Sequence, residues 1–209
     1  MGSEMCIRDS LQAELRKTIL FVTHDIDEAI KMGDRVAVMQ KGGVLAQYAP
    51  PAELLMNPAN EFVEDFVGAD RALKRLSLLR VRDVDLWQAP LARVGEPATD
   101  VRARIATADV PHPLVVDEQG HPLGWMSERD LALETVPAQP DSRPEPVIEV
   151  DYVLRDALSD LLQSDTQYGP VVDRDGRVVG VLSVEIISHF LNSPQATEHA
   201  IDPAARAAL

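Results

Sequence analysis

The sequence predicts an α/β fold in two unlike parts, on three observations. A β-branched apolar run near the N-terminus alternates with helix-like stretches, as strands and helices do in a layered α/β unit. Further along, a twenty-residue pattern occurs twice at an offset of 56 residues. Between these regions the charge changes. Residues 1–75 carry 9 basic and 12 acidic side chains, whereas residues 76–209 carry 11 and 22, and all four lysines (17, 31, 41 and 74) lie in the first part.

In chain order, residues 1–10 (MGSEMCIRDS) fit nothing that follows and read as a non-native leader, with a short native cap before a helix as the alternative; the only cysteine, Cys6, lies there. Leu11 and Leu15 mark the end of a helix. TILFVT (18–23) is continuously apolar, as expected of a strand buried on both faces. HDIDEAIKMG (24–33) reads as a helix, with acids at its start and Gly33 at its end. DRVAVMQ (34–40), KGG (41–43) and VLAQYA (44–49) read as strand, tight turn and returning strand. Pro50 and Pro51 stop the hairpin, and short helices follow over 51–58 and 60–68.

The repeat aligns HPLVVDEQGHPLGWMSERDL (112–131) with YGPVVDRDGRVVGVLSVEII (168–187) without a gap. Each copy reads strand, Asp-x-x-Gly turn, strand ending at Gly-x-x-Ser, helix; Gly120 and Gly176 supply the positive φ that such a turn needs. Helical stretches precede the copies, at about 98–107 and 153–163, and in the second Leu154, Leu158, Leu161 and Leu162 are expected on one face. The four prolines of 137–147 predict a linker, and the Ala-rich 193–209 a frayed tail. The expected division is leader 1–10, first unit 11–75, first repeat 76–136, linker 137–147, second repeat 148–192 and tail 193–209.

Composition excludes several classes. A net charge of −14 argues against a nucleic-acid partner, and an aromatic content of 4% against base-stacking platforms. No apolar run is long enough for a transmembrane helix. A single cysteine excludes a disulfide framework within the chain and a multi-cysteine zinc site, and His24, Asp25 and Glu28 lack the second histidine of a helical zinc motif. No Gly-x-Ser-x-Gly and no paired Cys and His indicate an independent hydrolase.

The two copies, VVDEQGHPLGWMSERDL and VVDRDGRVVGVLSVEII, resemble the paired CBS motifs of a tandem (Bateman) module. The resemblance implies adenine nucleotide binding (AMP, ADP or ATP) in clefts between the copies, with a glycine, a phosphate-holding hydroxyl and a ribose-holding carboxylate. The matching residues are Gly124, Ser127 and Asp130 in the first copy; the second retains Ser183 but has Ile186 at the carboxylate position. An aliphatic side chain accepts no ribose hydroxyl, so binding is expected at the first copy. The plainer role for both serines is to cap a helix.

TILFVTHDIDEAIKMGDRVAVMQKGG is similar to the last part of an ABC-transporter ATPase domain. That resemblance makes His24 the catalytic switch histidine that senses the γ-phosphate of ATP, with Mg in the full-length parent. No Gly-x-x-x-x-Gly-Lys-[Ser/Thr] cradle, Gly-rich signature or apolar strand ending in Asp-Glu is present, so the chain reads as a C-terminal portion, inactive alone. An ATPase end followed by tandem CBS motifs resembles the ATP-binding subunit of importers for quaternary-amine osmoprotectants such as glycine betaine. The implied partners are permease subunits and a second ATPase subunit, with dimerisation through the CBS modules, at the cytoplasmic face of the inner membrane. The competing reading is a stand-alone CBS ligand-binding or interaction module with an unrelated N-terminal extension.

Overall fold

A computed structural model describes residues 18–105, 108, 110 and 112–192. The expectations for the leader, the Leu11–Leu15 helix end and the tail lie outside the described residues.

The N-terminal part contains α1 (Ile26–Met32), the hairpin β1 (Val36–Gln40) and β2 (Val44–Ala49), then α2 (Pro51–Met56), α3 (Glu61–Val67) and α4 (Arg71–Leu76). Asp25 starts α1 by accepting hydrogen bonds from the Asp27 and Glu28 amides, and Asn60 starts α3 the same way from Val63. Gly42 and Gly43 take positive φ in the hairpin turn. A small core of Ile30, Val36, Val38, Leu54, Leu55, Val63 and Val67 closes over the hairpin, with Leu78 packed against it.

The predicted strand over 18–23 does not form: these residues have no regular structure, and Leu20 and Val22 are 89% and 85% exposed. A strand buried on both faces needs hydrogen-bonded neighbours and two covering layers. Among the described residues, β1 and β2 pair only with each other and offer 18–23 neither.

The two repeats share one topology. In the first, β3 (Leu91–Arg93), α5 (Ala98–Ile105), β4 (Leu114–Val116), β5 (Pro122–Trp125) and α6 (Glu128–Leu131) form a three-stranded sheet in the order β3-β4-β5 with its helices. In the second, β6 (Ile148–Glu149), α7 (Leu154–Gln163), β7 (Tyr168–Val172), β8 (Val178–Ser183) and α8 (Val184–Leu191) repeat it. Each sheet joins a parallel pair to an antiparallel hairpin with a register shift before the Asp-x-x-Gly turn. Gly120 and Gly176 have φ of 94° and 80°, as the turn chemistry requires.

Leu154, Ala157 and Leu161 of α7 are fully buried, but Leu162 is 57% exposed. One residue past Leu161 rotates it about 100° around the helix, off the buried stripe. The lead-in to the first repeat, Leu76, Leu79, Val81 and Val84, belongs to the second repeat's core. Between the sheets, Leu114, Val116, Trp125 and Val181 pack together, and Trp125 meets Tyr168 edge-on at 5.0 Å.

The lead-in segments are exchanged. Trp87, ahead of the first repeat, bridges Val181 of the second, while Ser142, ahead of the second, bridges Trp125 of the first. Residues 137–147 are therefore not a free linker: the Trp125 amide donates to the Ser142 carbonyl at 2.9 Å.

Candidate functional site

The structure places His24 at an exposed position just before α1. Its neighbours are already engaged: the Thr23 hydroxyl donates to Glu28 at 2.8 Å, and Asp25 Oδ1 accepts from two α1 amides. Among the described residues no group of three His, Cys, Asp or Glu side chains could hold a metal ion.

Gly124, Ser127 and Asp130 are brought together at the end of β5. Ser127 N-caps α6 through a capping box: its hydroxyl accepts from the Asp130 amide at 3.1 Å, and Asp130 Oδ2 accepts from the Ser127 amide at 2.9 Å. Asp130 is only 5% exposed. The remaining space is filled by the chain itself. The Asp141 amide donates to Asp130 Oδ2 at 3.1 Å, and the Ser127 hydroxyl lies 2.9 Å from Asp141 Oδ2. A Cβ on Gly124 would stand 2.3 Å from the Ser142 carbonyl oxygen and 3.2 Å from Pro140. Gly124 thus allows close backbone approach, and what approaches is the 140–142 segment.

The second repeat differs. Ser183, 6% exposed, caps α8 by accepting from the Ile186 amide at 3.1 Å. A cavity of about 800 Å³ opens beside α8, bounded by Val84, Asp85, Leu86 and Trp87 on one side and Glu185, Ile186 and His189 on the other. That volume suits a nucleoside-sized ligand. Asp85 and Glu185 can accept ribose hydroxyl protons, and Trp87 offers an aromatic surface to a base. Asp85 and Glu185 are thus the carboxylates on a lining to which Ile186 contributes none.

Sequence reasoning missed Asp85, Trp87 and Asp141. A signal was present, because Asp85 and Asp141 are separated by the repeat offset of 56. The strand bridges are one residue out of step with that offset: Trp87 faces Val181, but Ser142 rather than Arg143 faces Trp125. The two aspartates consequently sit differently, Asp141 in contact with Ser127 and Asp85 lining the open cavity.

The Asp-x-x-Gly turns of the repeats meet through His121. Its Nδ1 lies 2.9 Å from Asp117 Oδ2 and its Nε2 lies 3.0 Å from the Asp175 carbonyl. The Asp117 carboxylate, then the Asp175 carbonyl, raise the imidazole pKa above its ordinary value. Partial burial opposes ionisation of Asp117, but the His121 amide and ring outweigh it and its pKa falls.

Residues 141–193 match the CBS domain family. The chain is 40% identical over 185 residues to the osmoprotectant import ATP-binding protein OsmV of Salmonella typhimurium, covering 88% of this chain and 48% of that protein. It is 36% identical over 180 residues to the carnitine transport ATP-binding protein OpuCA of Listeria monocytogenes, covering 83% and 45%. It is 30% identical over 191 residues to the glycine betaine/proline betaine transport system ATP-binding protein ProV of Salmonella typhimurium, covering 91% and 34%. Among solved structures, a CBS domain pair/ACT domain protein from Thermotoga maritima aligns with a TM-score of 0.47 at 21% identity, over 55% of this chain and 97% of that one. The chain spans about half the length of the first two of these relatives. Over most of its own length, the chain thus matches the ATP-binding proteins of osmoprotectant and carnitine ABC transport, and it carries a CBS domain.

Proposed function

We propose that this chain is part of the ATP-binding subunit of an ABC importer for quaternary-amine osmoprotectants, such as glycine betaine, carnitine or choline, and that its repeat pair is a regulatory module taking an adenine nucleotide. The similarity along 88% of the chain carries this reading. An alignment of 185 residues is longer than the whole of 76–209, so it must reach into the N-terminal part, which an unrelated extension on a stand-alone CBS module would not match.

The exposed run Ile19–Val22 supports the same reading, since it has the composition of an interior strand but pairs with no strand among the described residues. In the parent subunit the rest of the nucleotide-binding sheet would cover it and bring His24 to the γ-phosphate, with Mg and ATP held by segments this chain does not contain. Permease subunits and a second ATPase subunit are the proposed partners, with pairing through the CBS modules. The proposed location is peripheral, on the cytoplasmic face of the inner membrane; among the described residues no helix is long and apolar enough to cross a membrane.

The regulatory nucleotide is proposed to enter the second repeat's cavity between Asp85–Trp87 and α8, with Gly124, Ser127 and Asp130 at the first repeat's closed cleft. Two experiments test the proposal. Replacing the matching segment of ProV with residues 18–192 should preserve glycine betaine-dependent growth at high salt, and loss of growth with a stably assembled complex would overturn the transport reading. Calorimetric titration with AMP, ADP and ATP should show one site per chain, weakened about tenfold by loss of a ribose-holding carboxylate in Asp85→Ala. Affinity indifferent to Asp85 would overturn the assignment of that cavity.

A further inference from the structure

The first repeat's cleft is occupied by the protein's own backbone and by one carboxylate. Pro140, Asp141 and Ser142 lie against Gly124, Ser127 and Asp130 through four contacts. These are Trp125 N–H to Ser142 O at 2.9 Å, Asp141 N–H to Asp130 Oδ2 at 3.1 Å, Ser127 Oγ to Asp141 Oδ2 at 2.9 Å, and Pro140 at the face of Gly124.

The Ser127 hydroxyl has one proton and two carboxylate oxygens within reach, Asp141 Oδ2 at 2.9 Å and Asp130 Oδ2 at 3.1 Å, while its lone pair accepts the Asp130 amide. Among the described residues neither carboxylate is ion-paired. A phosphate seeking that hydroxyl would have to displace Asp141 and would otherwise compete with two carboxylate oxygens for its single proton.

We propose that Asp141 is a built-in occupant of the first cleft, standing where a nucleotide phosphate would bind, so that a phosphate-bearing adenine nucleotide enters only when residues 140–142 withdraw. This rests on the adenine-nucleotide reading for the identity of the ligand, but the closure itself rests on contacts alone. Because residues 137–147 connect the two repeats, their withdrawal changes how the second repeat is tethered to the first. The cleft is therefore built as a switch between a self-occupied and a ligand-occupied state. The second cleft lacks such an occupant, since the register offset leaves Asp85 lining an open cavity.

The test uses the full chain as wild type, Asp141→Ala and Asp141→Ala/Ser127→Ala. Amide exchange at Trp125, whose N–H donates to Ser142, should be at least about tenfold faster in Asp141→Ala, because the side-chain latch on the segment is gone. Titration with AMP and ATP should show one site in wild type, two in Asp141→Ala and one again in the double variant. Unchanged Trp125 exchange in Asp141→Ala overturns the closure whatever the titrations show. Faster exchange with no nucleotide bound by any of the three chains upholds the closure and overturns the nucleotide reading. Faster exchange with a site count fixed at one overturns the role of this cleft as a second nucleotide site.

Discussion

Replacing Gly124 by alanine should unseat the exchanged segment and weaken the repeat pair as a whole. The added Cβ would stand 2.3 Å from the Ser142 carbonyl oxygen, and real Cβ contacts are not closer than 3.0 Å, so the carbonyl must retreat by about 0.7 Å. That carbonyl accepts the Trp125 amide at 2.9 Å, and Trp125 is 2% exposed, so retreat strands a buried donor. An unsatisfied buried N–H costs about 1–3 kcal/mol and overpacking of a filled site costs about as much, giving an expected loss of about 2–6 kcal/mol. Against a domain stability of about 5–15 kcal/mol this is a large fraction. The assay is urea unfolding followed by tryptophan fluorescence. The chain's two tryptophans, Trp87 and Trp125, sit one at each exchanged bridge, so both report the pairing directly. With a urea slope of about 2 kcal/mol per molar, the midpoint should fall by about 1–3 M. A loss below about 0.5 kcal/mol would refute the seating of Pro140–Ser142 on Gly124.

The contact between the two turns should be pH-dependent. His121 has a raised folded pKa, so its contribution is fully present below the ordinary histidine value of about 6.5 and is lost as pH rises through the folded value; the urea midpoint should fall from pH 5.5 to pH 8 by more in wild type than in His121→Gln, and equal slopes would exclude the role. The chain with saturating Mg·ATP should show no turnover, because its sequence pairs His24 with no Gly-x-x-x-x-Gly-Lys-[Ser/Thr] phosphate cradle, and a turnover abolished by His24→Ala would contradict this. Anionic vesicles at physiological salt should not retain the chain in a sedimentation assay, and retention that strengthens as salt is lowered would reverse the charge argument.

Local chemistry was legible where the code is short-range. The hairpin around Gly42 and Gly43, the acidic start of α1 at Asp25, and the Asp117–Gly120 and Asp173–Gly176 turns all follow from residues within a few positions of one another. What failed to follow depends on distant partners. TILFVT has an interior strand's composition, but a strand exists only where another strand meets it. Leu162 belongs to the leucine spacing of α7, yet rotation places it beyond the core. The proline-rich stretch 137–147 has a linker's composition, and only the fold shows that it lies across the first repeat. The site residues divide in the same way. Gly124, Ser127 and Asp130 are local to one turn and were found together, whereas Asp141 comes from a segment eleven residues past Asp130 and Asp85 from the other lead-in.

The exchange of lead-in segments bears on how such a module could report a signal. Each cleft is bounded by one repeat and by the segment that introduces the other, so a ligand in either cleft touches both repeats at once. The surface suits this route better than a membrane-facing one. Residues 76–209 carry no lysine and twice as many acids as arginines. Several of the arginines are already committed, Arg82 and Arg174 to Asp151 and Arg104 to Glu96. At physiological ionic strength, where charges are felt over about 8 Å, such a surface is repelled by anionic headgroups.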